Sequence, residues 1–265
     1  MKLSVITVTY NAEKTLERTL RSVQEQTYPT LEHLIVDGAS RDGTISLIHK
    51  YAEETENPQG KAVTRNEVES QEEAAKRHPL RWISEPDRGL YDAMNKAIKM
   101  ASGDYLCFLN AGDTFCAPDT VERMMHSFSI SEQPDILYGE TAIVDDNGSF
   151  LHMRRLKTPE ILTWKSFKQG MLVCHQAFIV KRELAEPYDP AYRFSSDFDW
   201  SIRMMKKARS IHNTHLTLIN YLNEGMTTAN HKASLKERYR IMAKYYGHTS
   251  TFVHHIWFLI RSLLK

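Results

Sequence analysis

Residues 3–9, LSVITVT, are β-branched and nearly all apolar, and the chain then switches at once to apolar spacings of three and four at Ala12, Leu16, Leu20 and Val23. A half-exposed strand alternates apolar and polar residues. A run without alternation marks a parallel strand covered on both faces. The pattern recurs with LEHLIVD at 31–37, the turn GASRDG and the helical period of TISLIHKYAEE. Strand, helix, strand, helix confines the chain to βαβ units and so to a parallel sheet flanked by helices. With 42% hydrophobic residues over 265 positions, it can bury a sizeable core.

Residues 53–80 are polar and charged and predict an exposed excursion, with a helical turn at 67–77. LRWISE is then a third strand and PDRG a loop. LYDAMNKAIKMA is a helix whose Leu90, Ala93, Met94, Ala97, Ile98 and Ala101 share one face, with Gly103 as its C-terminal stop. YLCFL from residue 105 is the fourth strand, and PDTVERMMHSFS is a helix. DILYGETAIVDDNGSFLHMRR reads as two strands joined at Asp146-Asn147-Gly148, where the sheet turns antiparallel. MLVCHQAFIVKR predicts a strand carrying His175, SSDFDWSIRMMKKA a helix, HLTLINYL a strand, and the chain from about 232 is helical. The methionines of RMMHSF and IRMMKKA read as core-facing stripes.

The composition excludes several classes. Thirty-four Lys and Arg against 33 Asp and Glu leave a net charge of +1, which gives no support to a nucleic-acid binder. Cys107, Cys116 and Cys174 lack C-x-x-C spacing and cannot all pair, so free thiols in a reducing compartment are expected. The N-terminus reads as a strand rather than a signal peptide, and no apolar run reaches the roughly 18 residues of a spanning helix. These features predict a soluble, cytoplasmic protein. The tail FVHHIWFLIRSLLK can pack on its own domain or on a partner, or lie peripherally in a membrane surface. No Walker loop and no G-x-G-x-x-G occurs, so a bound phosphate needs a metal's help, and Mg²⁺ or Mn²⁺ with few protein ligands fits that need.

In open α/β sheets, ligands bind beyond the carboxyl ends of the parallel strands. Those ends deliver Thr9, Tyr10 and Asn11, then Asp37, then Glu85, Asp87 and Arg88, then Asn110 and Asp113. Asn11 and Asp37 can equally be caps or turn formers. Asp113, a carboxylate just off a buried strand, is a natural hard-metal ligand, and Gly112 beside it would let the backbone approach a ligand closely. Asp197 and Asp199 open a helix at FSSDFDW, where Ser196 and Asp199 can form a capping arrangement. His175 reads as a core or rim histidine, with an acceptor contact as the rival reading.

In order, SVITVTYN, VDGASRDGT, GLYDAMNKAIKMASGDYLCFLNAGD and SSDFDWSIR resemble the successive signatures of the family 2 glycosyltransferases, an inverting group with the GT-A fold. The resemblance covers about residues 1–225 and is strongest to bacterial members that build lipopolysaccharide and exopolysaccharide. It implies an α/β fold with a mixed, Rossmann-like sheet that is parallel in the N-terminal half. Residues 1–113 would be the nucleotide-sugar-binding half, 114–231 the acceptor-binding and catalytic half, and 232–265 a helical extension. It implies a nucleotide-sugar donor, UDP-linked by preference, a glycan or lipid-linked acceptor, and Mn²⁺ or Mg²⁺. Thr9, Tyr10 and Asp37 fall where the family binds base and ribose. Asn95 matches the asparagine after the donor loop, and Arg88 and Asp92 lie beside it. Gly38 replaces the second acid of the usual Asp-Asp-Gly-Ser run. Asp113 matches the last carboxylate of the metal motif, while Asn110, kept as a donor-site residue, and Gly112 replace the other acids. Asp197 matches the catalytic base, with Ser196 where a Glu is usual. Residues 222–231 fall where the family has a flexible segment that can fold over the donor. A sugar nucleotidyltransferase and a non-catalytic nucleotide-sugar-binding member of a polysaccharide assembly stay open as alternatives.

Overall fold

The computed structural model describes residues 1–56, 78–223 and 231–263. The expected helical turn at 67–77, and residues 224–230 of the expected lid, lie outside the described residues.

Strands β1 (Leu3–Thr9) and β2 (Leu31–Asp37) are buried at every position, which is the burial that their unbroken apolar runs require. Helices α1 (Leu16–Gln24) and α2 (Thr44–Glu56) follow them, and α1 turns Leu16, Thr19, Leu20 and Val23 inward. Strand β3 (Leu80–Ser84) forms the more exposed edge. Helix α3 (Leu90–Met100) leads to β4 (Tyr105–Phe108), again buried throughout. The strands β3-β2-β1-β4 pair in parallel, and the register sets Thr9 beside Asp37 and Asp37 beside Ser84. One row of polar side chains therefore ends three adjacent strands.

Beyond β4 the sheet is mixed. Short β5 (Thr114–Phe115) and helix α4 (Thr120–Met125) precede β6 (Ile136–Val144), β7 (Phe150–Met153), β8 (Phe178–Lys181), helix α5 (Ser196–Lys207) and β9 (Ile211–Leu222). The hairpin between β6 and β7 forms as expected, with Gly148 at φ 81° and Asp145 accepting from the N–H groups of Asn147 and Ser149. The antiparallel expectation holds for β4–β8, β6–β8, β6–β7 and β5–β9, but β6 and β9 run parallel. Met124, Met125, Met204 and Met205 are buried, as their stripes suggest. The three cysteines are free thiols, two of them buried.

Two local expectations need correcting. Gly103 does not end α3 with a left-handed residue; Ala101 ends it in an extended conformation. A Cβ at 103 would lie 2.6 Å from the Ser4 nitrogen, so this glycine lets the chain enter β4 tight against β1. The strand expected over 171–182 exists only at Phe178–Lys181, because His175–Ala177 form a 3₁₀ turn. That turn carries two side chains into the site described below.

Under the carboxyl edge lies a floor of rings. Tyr188 stacks on Trp200 at 4.8 Å and on Tyr91 at 5.5 Å, and Phe108 lies 5.1 Å from the His175 ring. Helices α6 (His231–Tyr246) and α7 (His248–Leu263), joined at Gly247, complete the described chain. Tyr246 stacks on Trp164 of the 3₁₀ turn Trp164–Gln169, with rings 5.6 Å apart.

Candidate active site

At the β1–β2 end, Asp37 is fully buried. Its Oδ2 accepts from the Ser40 N–H (2.9 Å) and the Ser84 hydroxyl (2.7 Å), and its Oδ1 accepts from the Ser40 hydroxyl. Asn11, at φ 49°, accepts at Oδ1 from the Arg41 N–H, so the turns after β1 and β2 are tied together. Asn11 and Asp37 thus both have the turn-forming contacts that their residue types allow. Thr9 is buried with its hydroxyl unpartnered, while Tyr10 is 62% exposed at the rim.

Gly38 has a physical reason that sequence reading missed. A Cβ there would lie 2.5 Å from Asp87 Oδ2 and 3.3 Å from the Tyr10 ring. The next residue, Ala39, holds φ 62°, a conformation that usually belongs to glycine. Asp87 Oδ1 accepts from the Gly89 N–H. A carboxylate from the loop after β3 therefore fills the space that a side chain at 38 would need.

At the start of α3, Asp92 accepts from the Arg88 N–H (3.1 Å) and guanidinium (2.8 Å), and these bonds hold its carboxyl below the usual range. Arg88 itself stays exposed. Asn95 is engaged elsewhere: its Nδ2 donates to the Tyr188 carbonyl and its Oδ1 accepts from the Tyr188 N–H. In this arrangement Asn95 is a clamp on Tyr188.

The β4 end is a tight turn, with the Asp113 N–H donating to the Asn110 carbonyl (3.0 Å) and Gly112 at φ 102°. Thr19 of α1 locks it, accepting from the Gly112 N–H and donating to the Asp113 carbonyl. A Cβ on Gly112 would meet Leu222 at 3.0 Å and Thr15 at 3.6 Å. The close approach that this glycine allows here is to the chain's own side chains. Asp113 is buried, accepting from the Leu222 N–H (3.0 Å) and from Gln176 Nε2 (2.7 Å). Burial outweighs both bonds and pushes its carboxyl up to about 7.

No group of three or more His, Cys, Asp or Glu that could hold a metal occurs among the described residues. Asn110 Oδ1, however, is buried with no hydrogen-bond partner, in the same turn as Asp113. An orphaned hard oxygen in the turn that carries a carboxylate suits a small divalent cation that takes its remaining ligands from phosphate and water.

Asp197, in the first turn of α5, is half-buried. Its Oδ1 accepts from the Tyr91 hydroxyl (3.0 Å) and the Phe198 N–H, and its Oδ2 has no hydrogen bond among the described residues. Burial, then the neighbouring Asp197 charge, pushes the Tyr91 phenol well up, so it stays a donor. His175 is buried and bonds Tyr188 Oη through Nε2 (2.7 Å), with burial pushing its imidazole toward the neutral form. The 3₁₀ turn thus serves both carboxylates, with Gln176 on Asp113 and His175 beside the Tyr91–Tyr188 stack under Asp197. The Tyr221 phenol is pushed up by burial first, then by the charges of Asp113 and Asp197.

The expected capping arrangement at α5 is absent. Ser195 is the N-cap, without a side-chain cap bond, and Ser196 donates to the Asp189 carbonyl. Asp199 is fully buried and accepts from Arg203, Lys244 and Tyr245, bonds that outweigh burial and hold its carboxyl low. Arg203 pairs with it within α5, while Lys244 and Tyr245 tie α5 to α6. Sequence reasoning missed Tyr91, Gln176 and Tyr188; the run YDAMN, read for its asparagine and aspartate, was the available signal for Tyr91.

The model of the family described as "Glycosyl transferase family 2" matches residues 4–188. The chain belongs to this family. This family 2 glycosyltransferase is 29% identical over 206 residues to a "PGL/p-HBAD biosynthesis glycosyltransferase" of Mycobacterium bovis, covering 76% of this chain and 68% of the relative. It is 25% identical over 237 residues to the "Putative teichuronic acid biosynthesis glycosyltransferase TuaG" of Bacillus subtilis, covering 88% and 84%. Its fold is the GT-A fold. The crystal structure of S. aureus TarS 1-349 in complex with UDP-GlcNAc superimposes with a TM-score of 0.65 at 22% identity, covering 91% of this chain and 64% of that one. Enzymes of the family typically use a divalent metal, and the candidate donor set is Asp113 and Asn110. None of the described helices is long and apolar enough to cross a membrane.

Proposed function

We propose that this glycosyltransferase moves a sugar, with inversion, from a UDP-sugar to a hydroxyl of a glycan or lipid-linked acceptor in bacterial cell-surface polysaccharide synthesis. The donor's base and ribose lie against Thr9, Tyr10, Asp37 and Asp87, where a buried carboxylate and an unpartnered hydroxyl sit under an exposed ring. Arg88, steered by Asp92, faces the diphosphate as an exposed cation. The UDP-GlcNAc bound to TarS and the teichuronic acid biosynthesis in the TuaG name support donor and pathway class.

The observation that carries the reading is Asp197: one oxygen is fixed by Tyr91 and the peptide N–H, and the other has no hydrogen bond among the described residues. Asp197 Oδ2 takes the proton of the acceptor hydroxyl as its oxygen forms a bond to the anomeric carbon. The bond from that carbon to the diphosphate oxygen breaks on the opposite face and its electron pair leaves with the nucleotide, so the configuration inverts. Tyr91 keeps the carboxylate aimed, and Tyr188, clamped by Asn95 and bonded to His175, supports Tyr91 by stacking. Mn²⁺ or Mg²⁺, held by Asp113 and Asn110, would neutralise charge on the departing diphosphate.

The test is Asp197→Asn, assayed for nucleotide release with a panel of UDP-sugars and acceptors. Transfer should fall at least about 10²-fold, with donor affinity from calorimetry unchanged. Near-normal transfer would remove Asp197 as the base, and a matching loss of donor binding would reassign it to the donor site.

A further inference from the structure

Helix α7 is built inside out. A helix lying on a globular domain ordinarily buries its apolar stripe and shows its polar face to water. Here the inward positions are Thr251, fully buried, and His255 and Phe258, whose rings contact one another at 5.4 Å, with His255 also 5.2 Å from Tyr239 of α6. The outward positions are Phe252, Val253, Ile256, Trp257 and Ile260, each between 42% and 60% exposed. At 100° per residue these five fall within one arc of about 140°. Such a contiguous apolar face is not left to water without a use.

The charge around it is equally one-sided. Residues 231–265 hold seven Lys and Arg against one acid, Glu237, whereas the first 230 residues hold 27 against 32. Helix α7 contains no acidic residue. Its C-terminal end meets further cations: Arg155 donates to the Arg261 carbonyl (2.8 Å), and the adjoining turn Trp164–Gln169 carries Lys165 and Lys168. Two copies meeting through this face would bring like charges together. A surface of anionic lipid offers both an apolar layer and the opposite charge.

We infer that α7 is an interfacial membrane anchor, lying flat with Phe252, Val253, Ile256, Trp257 and Ile260 in the headgroup–acyl boundary of an anionic bilayer. Its sixteen residues span about 24 Å, short of the roughly 30 Å hydrocarbon core, so it lies in the surface and does not cross. The inference stands on α7 and its surroundings alone and is independent of the transferase reading.

The test is co-flotation of the full chain with vesicles of phosphatidylcholine, with or without phosphatidylglycerol. The protein should float with the anionic vesicles, less at high salt, and poorly with neutral ones. Trp257→Glu and Ile256→Glu, both at exposed positions, should float at least about tenfold less with unchanged thermal midpoints. In brominated-lipid vesicles part of the tryptophan emission should be quenched, and Trp257→Phe, which keeps the apolar face, should lose that part. Failure of the wild type to float with anionic vesicles, flotation of the Glu variants at the wild-type level, or quenching unaltered in Trp257→Phe would each overturn the inference. So would a lipid-free dimer, seen by light scattering and broken by the same Glu substitutions, which would make a second copy the occupant.

Discussion

Asp113→Asn should stabilise the ligand-free protein at neutral pH while disabling it. The wild-type carboxyl titrates at about 7 in the folded chain and at about 4 in the unfolded one. Between those values the folded state binds the extra proton, so stability falls as pH rises, and the ionised, buried form costs about 4 kcal/mol above pH 8. Asparagine does not titrate. It can still accept from the Leu222 N–H, but its amide nitrogen then faces Gln176 Nε2, and Gln176 can turn its oxygen inward only by giving up Cys174. That exchange costs about 1 kcal/mol at every pH. The variant should therefore be about 1 kcal/mol less stable at pH 3, equal at about pH 4.6 and about 3 kcal/mol more stable at pH 8. Urea unfolding of both proteins in EDTA, with no nucleotide, reads this difference directly. Adding Mn²⁺ and UDP at pH 8 should raise the midpoint of the wild type only. Parallel pH profiles for the two proteins would refute the buried, proton-holding carboxylate.

Gly38→Ala should push the Asp87 carboxylate aside and weaken donor binding about tenfold in calorimetry, Asp87→Ala should do the same, and the double variant should add little. Full additivity would show that the two positions act separately. Asn95→Ala strips the Tyr188 N–H and carbonyl of their partners and should lower unfolding free energy by about 1–3 kcal/mol. An unchanged urea midpoint would mean that water replaces the clamp. Asp199 slopes oppositely to Asp113: its folded carboxyl is held low, so its stabilisation is complete above pH about 4 and is lost as pH falls through the lower, folded value. In Asp199→Asn this acid limb should flatten in thermal melts taken from pH 5 downward.

The parallel half was legible because burial on both faces leaves an unbroken apolar run, and β1, β2 and β4 show that burial. Asp37 could be picked out because a strand end is written in local pattern, whereas the helix start offered Asp197 and Asp199 alike and only the family resemblance singled out Asp197. What stayed hidden was set by distant contacts. The run MLVCHQAFIV reads as strand, yet the turn at His175 is fixed by Gln176 reaching Asp113 and by His175 reaching Tyr188. Gly38 and Gly103 are glycines for close approach, and the approaching groups lie 49 and 99 residues away, at Asp87 and Ser4. The parallel pairing of β6 with β9, across some 75 residues, likewise leaves no local trace.

The bonds of the Asn110–Asp113 turn also fix when the site can come into being. Its partners are Thr19, Gln176 and Leu222, and the last lies 109 residues further along the chain. A chain released only as far as β5 holds Asp113 in water, ionised like any free aspartate. The carboxylate acquires its shifted titration only after β9 has docked, following the slow closure of a long loop. Proton uptake by Asp113 is thus a chemical timestamp for completion of the fold, and a nascent or truncated chain cannot carry the finished site.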